Sequence, residues 1–219
     1  MTTAITKAII LAAGMGSRLK EMGEGIPKGF IRLDETPIIE YSLNALISMG
    51  IQEVMIVTGH KCEFYEKLKE TYPEIRTIKN TRFAETGTMC SLGHARDFVD
   101  ADFILLESDL IYDPIVITEL LNSPYKDCLL LSGTTNAGDE VYVEADENRM
   151  TAISKSRDHI KNSVGEYVGI AKLSKQMYDK LLQVADPELK LSYDMDCIAH
   201  ISKEHPIYFL RLENLHWAE

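Results

Sequence analysis

The chain has 219 residues, with 34 acidic against 23 basic side chains and a formal net charge of −11. Hydrophobic residues make up 45% and charged residues 26%, which is typical of a globular protein and excludes a disordered or fibrous one. The acidity argues against nucleic acid or an anionic membrane as a partner, and no apolar run reaches the roughly 18–20 residues of a membrane span.

The first two thirds of the chain alternate between strand patterns and helix patterns. Apolar runs rich in β-branched residues, such as VMIVT at 54–58, are typical of buried parallel strands. Predicted strands cover residues 7–11, 54–58, 74–79, 103–107 and 128–132, and predicted helices cover 17–22, 38–49, 63–70, 88–98 and 114–121. Pro37 is expected in the first turn of the second helix, where its missing N–H costs little.

The last third of the chain has a different pattern, in which predicted strands lie close together in sequence. Strands are predicted at 141–144, 150–154, 164–171 and 207–210, and helices at 174–182 and 193–201. Together the two parts predict an α/β fold of three layers, with a mostly parallel central sheet and a small antiparallel element. No internal repeat or long linker interrupts the chain, so we expect residues 1–219 to form one domain.

The loop after the first predicted strand is made of small residues that allow a ligand to approach the backbone. It consists of Leu11, Ala12, Ala13, Gly14, Met15 and Gly16. Backbone N–H groups at the start of the following helix can face phosphate oxygens. Leu19 stands where a dinucleotide fingerprint has its third glycine, and no Gly-Lys-Ser/Thr follows. A nicotinamide site is therefore only weakly supported, and the Walker pattern fails.

Two cations accompany this loop. Arg18 lies just inside the predicted helix, and Lys28 follows ten residues later in the sequence IPKG. Fixed positive charges around an amide-rich loop suit a triphosphate that loses pyrophosphate, because negative charge builds on the leaving group. The alternative is a tight turn between strand and helix with a solvated arginine and lysine.

These motifs carry a family resemblance. LAAGMGSRL followed by IPKGFIRLDETPIIEYSL resembles the start of the sugar-phosphate-type nucleotidyltransferases, with Phe30 where leucine is usual. The resemblance covers most of the chain. It implies a Rossmann-like nucleotidyltransferase fold and an NTP:phosphomonoester nucleotidyltransferase that uses Mg²⁺.

A carboxylate at the end of the predicted strand 103–107 is the candidate metal ligand. Asp109 follows that strand, and ligands of parallel sheets bind where strands end. The resemblance places a metal aspartate here, whereas Glu107 is expected on the other face of the strand. The alternative is that Asp109 caps the next loop. The family often has a second metal aspartate further on, so we expect one beyond Glu219, in a longer chain that can include a transaminase domain.

The resemblance implies that the second half of the chain selects the acceptor. Candidate acceptor-binding residues are Asp139, Glu140, Lys155, Glu166, Tyr193, Asp194 and Asp196. Lys155 suits an anionic head group, and the carboxylates suit an ammonium. Asp194 and Asp196 are two apart and do not share a helix face, so at most one is expected in the pocket. For each acidic residue alone, a solvated surface position is the alternative.

Within the family, the run of sequence resembles the 2-aminoethylphosphonate cytidylyltransferases, which are close to phosphocholine cytidylyltransferases. A trimethylammonium group is typically bound in an aromatic cage, whereas this chain has only one tryptophan, Trp217. Carboxylates suit a primary ammonium better. The expected reaction is Mg²⁺-dependent transfer of CMP from CTP to 2-aminoethylphosphonate, with phosphocholine, phosphoethanolamine or a sugar 1-phosphate as alternative acceptors.

The roles implied by the resemblance are specific. CTP is expected over residues 11–16, with its base near Thr88, Met89 and the loop at 59–60. Arg18 and Lys28 would neutralise pyrophosphate, and Lys155 would orient the phosphonate. A nucleotide sensor without catalytic activity and a nicotinamide-dependent oxidoreductase are weaker alternatives. Four scattered cysteines and no HExxH or HxH pattern indicate reduced thiols in a cytoplasmic protein without a zinc site.

Overall fold

A computed structural model of the chain describes residues 4–16, 25–135, 138, 140–185, 193–213 and 215–218. The strands are β1 (Lys7–Ala12), β2 (Arg32–Leu33), β3 (Thr36–Pro37), β4 (Glu53–Thr58), β5 (Ile75–Lys79), β6 (Phe103–Glu107), β7 (Ile111–Tyr112), β8 (Cys128–Ser132), β9 (Tyr142–Asp146), β10 (Arg149–Ser154), β11 (Ser163–Leu173), β12 (Tyr208–Arg211) and β13 (Trp217–Ala218). The helices are α1 (Ile38–Ser48), α2 (Cys62–Lys67), α3 (Thr88–His94), α4 (Ile115–Asn122), α5 (Lys175–Val184) and α6 (Asp194–Ile201).

One nine-stranded sheet organises the molecule, in the order β5-β4-β1-β6-β11-β8-β12-β10-β9. β5, β4, β1 and β6 are parallel neighbours, whereas β11 runs antiparallel between β6 and β8. β9 pairs with both β10 and β11, so the second half of the sheet closes into a ring of paired strands. The predicted combination of a mostly parallel sheet with a smaller antiparallel element is confirmed.

Side-chain alternation along the strands divides the core between two faces of the sheet. In β1, Ile9 and Leu11 belong to one hydrophobic cluster, and Ala8 and Ile10 belong to the other. Apolar residues of α3, α5 and α6 cover the first face, and those of α1, α2 and α4 cover the second. The three-layer architecture expected from the sequence is therefore confirmed.

Most predicted boundaries agree with the structure, and the differences are local. Helix 88–98 is shorter than predicted, because α3 ends at His94, and helix 63–70 divides into α2 and a 3-10 turn at Leu68–Glu70. Pro37 lies in β3 and precedes α1, so its placement in the first turn was wrong. The predicted helix 17–22 lies outside the described residues.

Two short ribbons were not predicted: β2 with β3, and β7 with β13. Strands of two residues show no periodicity that a sequence can reveal. The second ribbon pairs Trp217 with Tyr112 and so carries the end of the described chain back to the sheet. Within the part of the chain that the structure describes, no helix has the length and apolar character needed to cross a membrane.

Candidate active site

A cavity of about 440 Å³ opens where β1 and β6 end and where β11 passes beside them. Its walls come from every part of the chain, from the loop after β1 to Trp217 on β13. This position, outside the carboxyl ends of parallel strands, is where α/β sheets bind ligands.

The loop after β1 forms one wall with all six residues predicted for the nucleotide, Leu11 to Gly16. A Cβ added to Gly14 would meet no atom within 4 Å, so open space lies above this part of the backbone. Behind the loop, a Cβ on Gly59 would lie 2.6 Å from the carbonyl oxygen of Ala13 and 2.7 Å from the side chain of Phe83. Because Gly59 has no side chain, the loop after β4 can pack directly against the loop of residues 11–16.

Thr88 and Met89, which were both predicted to lie near the nucleotide, occupy different surroundings. Thr88 lines the cavity with its neighbours Thr86 and Gly87. Met89 is buried in the core between α3 and the sheet and is not among the lining residues, so its side chain does not face the cavity, and its place near the base stays a prediction. Consecutive helical residues point about 100° apart, and only one of the two can face the cavity. Arg18 lies outside the described residues.

Two of the four charged residues predicted to carry the chemistry, Lys28 and Asp109, meet in the cavity wall. Lys28 Nζ donates a hydrogen bond of 2.6 Å to Asp109 Oδ2 in an ion pair that is largely shielded from water. Gly29 makes this approach possible, because a Cβ there would lie 2.8 Å from the carbonyl oxygen of Ser108. Beneath them, burial raises the pKa of Tyr65 to about 12, so its hydroxyl stays protonated beside Ser108.

Glu107 lines the same cavity as Asp109, and the expectation that it points away from the site is wrong. β6 ends at Glu107, and Gly169 of the neighbouring strand β11 lies opposite it. Gly169 has φ +79°, and a Cβ there would lie 3.5 Å from Glu107 Cγ. The site is thus bordered by two carboxylates and one ammonium at the end of β6.

The oxygen donors at this site suit Mg²⁺ better than a metal ion that is coordinated by protein side chains alone. Among the described residues, no group of three or more His, Cys, Asp or Glu is placed to hold a metal ion. Mg²⁺ characteristically takes one or two carboxylates and completes its shell with water and substrate phosphates. Asp109, with Glu107 nearby, supplies that kind of oxygen donor next to the small-residue loop.

Glu166 is the most deeply buried charged residue of the cavity wall, with 2% of its surface exposed. Its Oε2 accepts hydrogen bonds from the backbone N of Thr135, at 2.9 Å, and from Thr135 Oγ1, at 2.7 Å. Its Oε1 is also buried but has no hydrogen-bond partner among the described residues. A buried carboxylate oxygen without a partner is costly, so this atom is available to a donor that a ligand or a water supplies.

Asp194 faces the cavity from the start of α6. Thr88 Oγ1 donates to its Oδ1, and its backbone N donates to the same hydroxyl, each at 2.9 Å. Burial raises the pKa of Asp194, while the Thr88 hydrogen bond and the charge of Lys155 partly oppose the rise. Asp196 is not among the lining residues, so only Asp194 of this i, i+2 pair lies in the cavity wall, in line with the expectation that at most one of them would.

Most of the other predicted acceptor residues are also brought to the cavity. Lys155, Glu140 and Tyr193 line it, and Asp139 lies outside the described residues. Sequence reasoning missed Thr135, which has no motif around it. It also gave Trp217 no place in the pocket, and only the pairing of β13 with β7 brings this side chain there.

Comparisons with known proteins show the family to which the chain belongs. A family model described as MobA-like NTP transferase domain matches residues 8–190. That range contains both strands whose ends form the cavity, as well as Lys28, Asp109 and Glu166.

Relatives with established names are similar over part of the chain. The 2-aminoethylphosphonate cytidylyltransferase of Lancefieldella rimae is 32% identical over 165 residues, covering 73% of this chain and 65% of that protein. CMP-5'-(3-aminopropyl)phosphonate synthase of Streptomyces rubellomurinus is 33% identical, covering 64% of this chain and 23% of that protein. Choline-phosphate cytidylyltransferase of Streptococcus pneumoniae is 31% identical, covering 54% and 52%. The matched stretch spans less than two thirds of each relative's own length.

Solved structures share the fold. The inositol-1-phosphate CTP transferase from T. maritima matches with a TM-score of 0.85 and 20% identity, covering 100% of this chain and 90% of that one. The CTP:phosphocholine cytidylyltransferase from Streptococcus pneumoniae matches with a TM-score of 0.80 and 22% identity, covering 97% and 92%. At these identities the likeness establishes the architecture alone.

Proposed function

Because the chain belongs to the MobA-like NTP transferase domain family, we propose that it transfers CMP from CTP to 2-aminoethylphosphonate in the cytoplasm, as a step of phosphonate biosynthesis. The products are CMP-2-aminoethylphosphonate and pyrophosphate. Two of the relatives described above carry aminoalkylphosphonates in their names, which supports an acceptor of this class.

The unpartnered Oε1 of Glu166 is the observation that carries the choice of acceptor. A primary ammonium donates up to three hydrogen bonds and brings a positive charge, so it satisfies both needs of a buried carboxylate. Asp194, also buried in the cavity wall, adds a second acidic group to the cavity. An acceptor with an ammonium at one end is therefore favoured over a neutral sugar phosphate.

The other end of the acceptor is its anionic phosphonate group, and the cavity wall offers a cation to bind it. Lys155 is exposed at the wall, where its ammonium group can orient the phosphonate. A phosphonate oxygen attacks the α-phosphorus of CTP as the bond to the pyrophosphate oxygen breaks. The phosphonate is already anionic at neutral pH, so this attack needs no strong general base.

The remaining groups serve the nucleotide. The backbone of residues 11–16 approaches the phosphates, and Lys28 neutralises charge on the departing pyrophosphate. Asp109, with Glu107 beside it, would hold Mg²⁺, which supplies further positive charge to the phosphate oxygens. Positioning and charge neutralisation of this kind are the main means by which proteins accelerate phosphoryl and nucleotidyl transfer.

A second candidate acceptor, phosphocholine, is favoured by the aromatic side chains of the wall. Tyr167, Tyr193 and Trp217 all line the cavity, and aromatic faces attract quaternary ammonium groups. A trimethylammonium has no N–H, however, and would leave Glu166 Oε1 without a donor. The two acceptors thus make opposite demands on Glu166.

Glu166→Gln therefore tests the proposal. Pyrophosphate release would be measured with CTP, UTP and dTTP against 2-aminoethylphosphonate, phosphoethanolamine, phosphocholine and glucose 1-phosphate. We expect CTP and 2-aminoethylphosphonate to be the best pair. The substitution should raise KM for 2-aminoethylphosphonate roughly 10- to 100-fold, as loss of a charged hydrogen bond predicts, with KM for CTP unchanged.

Glu144→Gln is the matched control, because Glu144 is a glutamate of β9 that binds the backbone N of Lys161 and does not line the cavity. It should leave both constants as they are. A best rate with phosphocholine that survives Glu166→Gln would replace the proposal by the second candidate. A best rate with glucose 1-phosphate, or no release with any acceptor, would reject both.

A further inference from the structure

A second, smaller cavity of about 80 Å³ adjoins the main one. The two share Met15, Gly16 and Lys28 in their walls, so the small cavity opens beside the last residues of the nucleotide loop. The other lining residues are Gly25, Ile26, Ile31, His60 and Lys61. A water occupies about 30 Å³ in the liquid, so this space suits a phosphate-sized group and is too small for a nucleoside.

The charge of the small cavity is opposite to that of the protein. Its described walls hold Lys28, Lys61 and His60 and no carboxylate, in a chain whose net charge is −11. The Lys61 backbone carbonyl accepts a hydrogen bond from the backbone N of Phe64, whereas its ammonium group forms no ion pair or hydrogen bond with any described residue. A Cβ placed on Gly25 would lie 3.9 Å from Lys61 Nζ, which puts the ammonium group against the cavity wall. The pocket therefore has a cation available for an anion.

The backbone holds Lys61 at this place. Its φ of +52° and ψ of +43° lie in the left-handed region, which a residue other than glycine seldom adopts. The other described non-glycine residues with positive φ, Asp34 and Glu147, both lie in turns and are exposed. Lys61 instead follows Gly59, which is packed directly against Ala13 of the nucleotide loop. The end of β4 thus fixes the lysine relative to that loop.

We propose that Lys61, with His60, forms a subsite that holds the terminal phosphates of the nucleotide and the released pyrophosphate, next to Lys28. This inference rests on the proposed nucleotidyl transfer, because that reaction produces a pyrophosphate beside the loop. Lys61 attracts the anion as a compact charge, and His60 donates a ring N–H to a phosphate oxygen. Lys28, between the two cavities, is shared by the reacting centre and the subsite.

Direct binding measurements test the subsite without needing an acceptor. Affinities of the full chain for pyrophosphate, CTP and CMP would be measured by calorimetry with Mg²⁺ present. Lys61→Gln should weaken pyrophosphate and CTP roughly 10-fold, as expected for loss of one partly exposed charged contact, and leave CMP unchanged, because CMP lacks the terminal phosphates. Lys61→Arg should retain most of the affinity.

Lys67→Gln is the matched control, since Lys67 is an exposed lysine of the adjacent helix α2 outside both cavities. Unchanged pyrophosphate affinity in Lys61→Gln, or an equal loss for CMP, would overturn the subsite even if the enzyme turns over as proposed. Conversely, a wild-type chain that binds pyrophosphate through Lys61 but transfers CMP to no acceptor would contradict the proposed function and leave the subsite standing.

Discussion

The two ends of the main cavity, the proposed nucleotide end and the proposed acceptor end, differ in the groups that form their walls. At the nucleotide end, the wall is a stretch of consecutive small residues, 11–16, whose contribution is backbone. At the acceptor end, the wall is a set of polar side chains from distant parts of the chain, with Glu166 and Asp194 buried among them. In the proposed reaction, the nucleotide end would bind CTP mainly through this stretch of backbone, and a few side chains at the other end would select the acceptor.

The sheet differs between the two ends in the same way. Around the nucleotide loop, β4, β1 and β6 are parallel neighbours in unbroken register. Around the acceptor end, the pairings of β11 with β8 and β9, and of β10 with β9, all shift register. Bulges of this kind redirect side chains and are frequent beside active sites. In β11 the shifts fall between Ser163 and Gly165 and between Tyr167 and Ala171, so Glu166 lies between two irregular pairings.

Asp109 lies between the two ends, and its loss should have the largest effect. Asp109→Ala is expected to lower kcat roughly 10²- to 10³-fold, because it removes the proposed metal ligand and the ion pair with Lys28. Steady-state pyrophosphate release at saturating CTP, together with a thermal melt to verify folding, is the measurement.

Asp97→Ala, at an exposed position just after α3, serves as the control and should keep full activity. A kcat for Asp109→Ala within a few-fold of the wild type would remove Asp109 from the mechanism. Because Lys28 and Asp109 are in direct contact, the double variant with Lys28→Ala should lose less than the product of the single losses.

A methyl group on Gly14 tests whether the nucleotide end works through its backbone. No atom lies within 4 Å of a Cβ at this position, so Gly14→Ala should change the free energy of unfolding by less than about 1 kcal/mol. The same methyl would stand between the loop and a phosphate, and we expect CTP affinity to fall roughly 10-fold. Equilibrium denaturation and CTP titration measure the two quantities.

Gly133→Ala is the control, because a Cβ on Gly133 also meets nothing within 4 Å and the residue does not line the cavity. It should change neither stability nor CTP affinity appreciably. If Gly14→Ala bound CTP as the wild type does, the phosphates would have to lie away from this loop.

The contrast between the ends also explains what the sequence could predict. β6 and β8 have the predicted bounds, since each is a short run of buried apolar residues. The nucleotide loop could be found because its residues are contiguous. Thr135 could not, since only the fold brings it to Glu166, 31 residues further along.

Neighbouring residues on a helix show what else the sequence could not predict, namely which of them faces the cavity. Thr88 faces the cavity and Met89 faces the core, although both were predicted to bind the nucleotide. Asp194 lines the cavity and Asp196 does not. A motif identifies the segment, but the rotation of the helix, set by packing of its apolar face, decides which side chain reaches the site.

The smallest effect is expected from Asp194→Asn, which separates stability from acceptor binding. Burial raises the pKa of Asp194 above its ordinary value of 3.8, so the native state holds this proton more tightly than the unfolded chain does. Asp194 therefore lowers the free energy of unfolding as pH rises from 3.8 through the raised native pKa, and the loss persists at neutral pH. Asparagine keeps an oxygen to accept the Thr88 hydrogen bond and does not ionise.

Urea denaturation between pH 3 and 8 should therefore show equal stabilities at the acidic limit and a more stable Asp194→Asn variant at neutral pH. Asp97→Asn, at an exposed position, should follow the wild type throughout. The gain in stability should come with a higher KM for the ammonium-bearing acceptor, because the site loses a negative charge. A variant less stable than the wild type at pH 7 would instead mean that Lys155 and Thr88 outweigh the cost of burying this carboxylate.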